Sequence, residues 1–130
     1  MAWELIERQC GCGRHSQEWL STPCVTVRKT YLTLNRKFQT SFSANKGTSA
    51  IVRWDDERKV VGIEIGPSEN LPSGFTVRVC GGKTNMTSAL VCCGNFCKRL
   101  APWCGKSFKA VRKDGETIIE IALLPDNEIP

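Results

Sequence analysis

The chain predicts an α+β fold: a β-β-α-β-β unit given twice, with twisted antiparallel sheets and two short helices. Two observations carry that expectation. Hairpins of alternating β-branched residues recur along the chain. The run "AIVRWDDERKVVGIEI", which ends at residue 65, is echoed near the far end by "FKAVRKDGETIIEIALL", which ends at residue 124. A half-unit of this size could not bury its apolar faces alone, whereas two halves could.

The elements follow in order. Residues 1–24 are irregular, with Trp3, Leu5, Ile6, Trp19 and Leu20 flanking a Gly/Cys/His patch. The first repeat covers 25–66. "VTVRK" and "YLTL" alternate and read as a tight hairpin. Asn35 is a good N-cap for a short helix on which Phe38 and Phe42 lie one turn apart. "SAIVRW" and "KVVGIEI" are strands joined at the charged turn Asp55-Asp56-Glu57-Arg58-Lys59. Residues 67–74, "PSENLPSG", form a linker.

The second repeat covers 75–124. Thr76-Val77-Arg78 repeats Thr26-Val27-Arg28, Phe96 and Leu100 repeat Phe38 and Phe42, and Ile119-Glu120-Ile121 repeats Ile63-Glu64-Ile65. Residues 125–130 read as a tail. At 130 residues the whole is one domain, with room for a single real core.

The motifs "PCVTVRK", "LTLNRKF" and "DDERKVVGIEI" resemble a loosely defined group of short bacterial and phage proteins without assigned activity. The resemblance covers Pro23 to Ile65, and its motifs are structural, so it implies a fold and no catalytic residue. Four strands leading into the helix near 94–101 also share the phase of duplicated single-strand binders of the PUR and Whirly type. That is an analogy of topology.

No stretch approaches the roughly 20 apolar residues that would cross a membrane, and the start has no basic region followed by an apolar one. A cytoplasmic protein is expected, with no membrane partner. The eight cysteines are then expected to be reduced, and most to serve as small buried apolar groups. The Asn85-Met86-Thr87 sequon carries no meaning in that setting.

Cys10, Cys12, His15 and Cys24 offer zinc four ligands, but C-x-C is tighter than the common C-x2-C knuckle. The expectation is no cofactor, with these four as the ligand set if zinc is present. Cys93 and Cys97 are one helical turn apart and share a face with Phe96 and Leu100, which favours core packing. A metal site mixing the two clusters stays open. With one histidine, no Gly-rich phosphate loop and no Ser/His/Asp spacing, no enzyme is expected.

Eighteen Lys and Arg against thirteen acids give a net charge of +5. Arg28, Arg53, Arg78, Lys109 and Arg112 are assigned to strands, where one basic sheet face can line up phosphates. Trp54 and Tyr31 are candidate stacking platforms for unpaired bases. The leading expectation is therefore a non-enzymatic nucleic-acid-binding protein, its partner DNA or RNA and in the sharper form single-stranded. The alternative is a protein–protein binder, such as a phage-encoded inhibitor of a host defence or regulatory factor.

Overall fold

The computed structural model describes residues 21–81 and 87–129; for residues 80, 81, 87 and 88 only the backbone is described. Among the described residues nine strands and two short α-helices follow the helical Ser21 along the chain. The hairpin of β1 (Cys24–Val27) and β2 (Leu32–Leu34) leads into α1 (Arg36–Phe42), then β3 (Thr48–Asp55) and β4 (Val60–Pro67). After a loop come β5 (Phe75–Gly81) and β6 (Thr87–Val91), then α2 (Gly94–Cys97) running directly into a 3-10 helix at Lys98–Trp103. The strands β7 (Ser107–Val111) and β8 (Ile119–Ala122), a 3-10 turn at Pro125–Asn127 and β9 (Glu128–Ile129) complete the chain.

The mixture of antiparallel hairpins and two short helices agrees with the sequence, but the sheets do not. The order β1-β2-β6-β5-β3-β4-β8-β7 closes on itself through a β1–β7 ladder, giving an eight-stranded barrel with β9 added on β7. The expected duplicated unit of twisted sheets is thus corrected. Neither half makes a sheet of its own, because strands of both alternate in pairs around one wall. Closure removes the free edges that two open sheets would expose.

Inward-pointing residues of each strand fill the barrel, and β1 is buried on both of its faces. Val25, Leu34, Ala89, Ala50, Ile63, Ile119 and Phe108 point inward and are all buried. An eight-stranded barrel is just wide enough for side chains to fill, so the inside is core rather than a ligand chamber.

Helix α1 closes one end and α2 with its 3-10 extension closes the other. Asn35, 5% exposed, is the device at the first end. Its Oδ1 accepts from the N–H groups of Phe38 (2.8 Å) and Cys24 (3.0 Å), and its Nδ2 donates to the Thr22 carbonyl at 2.7 Å. One side chain thereby caps the helix and ties it to the start of β1. Ser43, at φ 55 in the left-handed region, ends the helix and donates its N–H to the Gln39 carbonyl. Phe38 is fully buried beneath it and meets Phe42 edge-on, with centroids 4.8 Å apart.

At the other end Leu100 is the fully buried residue, and Trp54 packs edge-on against Phe96 (5.9 Å) and Trp103 (6.0 Å). The expected tail is not one. Ile129 and Glu128 pair with Ser107 and Phe108, and Ile129 packs on Cys24. Among the described residues no helix is long and apolar enough to cross a membrane.

Candidate nucleic-acid interface

The five basic residues expected on one strand face are spread over three settings. Arg53 is on β3 and points outward, but its guanidinium pairs with Glu64 on β4 at 3.1 Å. Arg78 lies on the outer side of β5, exposed, and Lys109 is half-buried on β7. Arg28 and Arg112 are not strand residues: each follows its strand by one position. Arg28 sits in the β1–β2 turn, where its N–H donates to the Tyr31 carbonyl at 3.0 Å. Arg112 lies over the ring of Phe42, 5.3 Å from its centroid.

The aromatic candidates divide as well. Trp54 alternates inward, opposite Val61, and is half-buried in the cluster with Phe96 and Trp103. Its Nε1 donates to Asp56 Oδ1 at 3.3 Å, and the residue lines the groove beside β3 together with Asp55 and Glu120. Tyr31 is half-buried in the β1–β2 turn, beside Arg28.

Next to β3 the outer wall is electrically closed. Arg58 donates to Asp55 (2.7 Å) and reaches Glu120 on β8 (3.4 Å), and Lys59 pairs with Asp56 at 3.1 Å. The hydrogen bond from Arg58 holds the Asp55 carboxyl below its ordinary value, and Lys59 does the same for Asp56. Asp55 Oδ1 also accepts from the backbone N–H groups of Glu57 and Arg58, which makes the turn a side-chain-stapled one. Gly62 floors a groove of about 270 Å³ here, between Arg53, Arg58 and Lys113 on one account and Asp55, Glu116 and Glu120 on the other. Its charges balance.

The opposite wall is different, and its signal stands in the sequence unread. From 19 to 54 the chain holds no acid and six Lys or Arg; from 70 to 113 it holds no acid and eight. Of the thirteen acids three (Glu4, Glu7, Glu18) precede residue 21, and the other ten fall in 55–69 and 114–128. In the fold those two acidic segments supply β4, β8, β9 and the connections beside them. The acid-free segments supply β7, all of β3 but Asp55, and β1, β2, β6 and β5, the last four being neighbours on the far side. Reading charge strand by strand missed this; reading the spacing of the acids would have found it.

The acid-free wall carries Arg78 on β5 and Arg28 and Lys29 in the β1–β2 turn, all exposed. Lys98, also exposed, joins them from the 3-10 helix, while its exposed neighbour Arg99 faces Asp56 and helps hold that carboxyl down. The turn lies beside the segments that flank that helix: the Val27 N–H donates to the Lys106 carbonyl just after it, and Gly94 in α2 just before it faces Thr30. Among the described residues no ion pair involves Arg28, Lys29, Arg78, Lys98 or Arg99.

Of the thiols, Cys24 is buried in β1 and donates to the Thr22 carbonyl, while Cys10, Cys12 and His15 lie outside the described residues. Cys93 and Cys97 are buried with their sulfurs 3.6 Å apart, and burial pushes both thiols up. Cys92 and Cys104 are exposed. No family model matches the chain, and no curated protein or solved structure matches it.

Proposed function

We propose that this protein is a non-enzymatic nucleic-acid-binding protein that grips phosphates on the acid-free wall of its barrel. The observation that carries the reading is the segregation of charge. Among the described residues the acids fall in and beside β4, β8 and β9, where Glu64, Asp55 and Asp56 pair with Arg53, Arg58 and Lys59. Arg28, Lys29, Arg78 and Lys98 make no ion pair with them among the described residues, whereas Arg99 is near enough to Asp56 to favour its carboxylate. A polyanion is attracted to one such face and repelled by its opposite, which orients it as well as binding it. The expected strand-face site is thereby moved: Arg28 and Arg78 stay in it, Arg53 and Trp54 leave it, and Lys29 and Lys98 enter.

Titration against single-stranded DNA, duplex DNA and RNA at two salt concentrations tests this. Affinity should fall steeply as salt rises, because each neutralised phosphate releases condensed counterions. Replacing Lys29 and Lys98 together with Gln should weaken binding to all sequences about equally, since phosphate contacts position and do not specify. Absence of binding at low salt would end the proposal and bring forward a protein target.

A further inference from the structure

The strand pairings of the barrel have an internal two-fold. Exchange β1 with β5, β2 with β6, β3 with β7 and β4 with β8, and the closed order maps onto itself. The register obeys the same exchange. Val27 pairs with Leu32 and its counterpart Val77 pairs with Val91, which makes Leu32 and Val91 equivalent. Across the β2–β6 seam those two residues pair with each other. At the β4–β8 seam Ile63 and Ile119, equivalent by sequence, are again direct partners. The relation departs from strictness at one contact. Ala50 and Ala110 pair with Ile65 and Ile121, yet Thr26 meets Ser107 while Thr76 meets Ser49, a slip that keeps every face in place.

A two-fold through paired positions on antiparallel strands runs perpendicular to the barrel wall. It emerges at the Leu32–Val91 pair, in the middle of the acid-free wall. By the same register Arg28 is the counterpart of Arg78, one on each flank of that axis and both exposed. β1 and β5 are three strand spacings apart around the wall, on the order of 14 Å.

A single strand has no such symmetry. A duplex has it everywhere, because its two antiparallel backbones are exchanged by dyads perpendicular to the helix axis, the reason two-fold proteins sit on two-fold sites. Its major groove, about 12 Å wide, separates those backbones by a comparable span. We infer that the nucleic acid held here is a duplex, seated with a dyad on the internal two-fold of one chain, so that Arg28 and Arg78 contact opposite strands. The inference rests on the function proposed above and names its substrate class.

The test is a binding titration of the full chain with a short duplex DNA and with each of its separated strands, at low and moderate salt. Arg28→Gln and Arg78→Gln are measured singly, after urea midpoints establish that both fold. The expected result is one chain per site, duplex bound tighter than either strand, and equal losses from the two variants. Each variant should lower the salt slope by about 0.9, one phosphate apiece. Tighter binding of a separated strand, or one arginine accounting for most of the loss, would overturn the duplex inference while leaving nucleic-acid binding intact. No binding of any of the three at low salt would overturn both.

Discussion

The helices that close the two ends of the barrel hold equivalent places in the two halves and are built to different standards. Helix α1 runs Arg36–Phe42, is capped by Asn35 through a side-chain hydrogen bond and sets Phe38 fully into the core. Helix α2 spans only Gly94–Cys97, starts at Cys93 without a side-chain cap and passes into a 3-10 helix containing Pro102. Phe96, the counterpart of Phe38, is half-buried, and Leu100 takes the enclosed position. One end is held by polar bonds to the backbone, the other by packing of rings and thiols. The loosely capped end also brings Lys98 and Arg99 to the surface, so the weaker device lies beside the proposed site.

The largest expected effect comes from the plug residues. Phe38→Ala should cost about 3–5 kcal/mol of unfolding free energy, the range for emptying a buried phenyl site. Phe96→Ala should cost clearly less, since its ring is already partly in water. Urea denaturation of the two variants measures the difference, and equal costs would break the comparison.

The caps come next. Asn35→Ala removes a helix cap and leaves the buried Cys24 N–H without its acceptor, so a loss of about 2 kcal/mol is expected. Cys93→Ala removes no helix cap, only the thiol's contacts with Cys97 and the Val91 carbonyl, and should cost less. The same denaturation series ranks them, and a Cys93 loss as large as that of Asn35 would deny the contrast.

How much of this stood in the sequence varies from element to element. The hairpins were legible because alternation has a period of two and β-branched residues favour strands. The Asn35 cap was legible because its chemistry is local. Barrel closure was not: it depends on β1 meeting β7, a ladder between residues 24–26 and 107–109, and no local pattern encodes such a partner. The short strand Glu128–Ile129 was read as tail because two residues give no period. Arg28 was placed on a strand by the length of the alternating run, and the fold ends that strand at Val27. For the site, residue types were legible and their neutralisation was not. Glu64 reaches Arg53 from across a hairpin and Glu120 reaches Arg58 from β8, pairings that composition does not encode.

Alkaline pH gives a smaller contrast. The Cys93 and Cys97 thiols are raised by burial, so the folded state keeps protons that the unfolded state releases. A raised folded value means the stabilising contribution is full below the unfolded thiol pKa and is lost as pH rises past it. Stability should therefore decline above about pH 8.5, by no more than about 1.4 kcal/mol per pH unit for each thiol. Replacing both cysteines with alanine should flatten that limb. A limb unchanged in the double variant would show that groups elsewhere govern it.

The smallest expected effect is the most informative about the two walls. Arg53 was a natural choice for a phosphate contact, being exposed and central on a long strand. Its guanidinium already donates to Glu64 at 3.1 Å, both side chains being open to solvent. Exposed pairs of this kind contribute about 0–1 kcal/mol, so Arg53→Gln should shift the urea midpoint very little. It should also leave nucleic-acid affinity and its salt slope unchanged, because a phosphate arriving there would have to displace a carboxylate and lie beside Asp55 and Glu120. Glu64→Gln is the sharper half of the pair. It frees Arg53 at no cost in shape, so if the acids are what exclude nucleic acid from this wall, affinity should rise slightly and the salt slope should steepen. A loss of binding in Arg53→Gln comparable with that in Arg28→Gln would mean that both walls take phosphate and that the charge segregation does not orient the ligand.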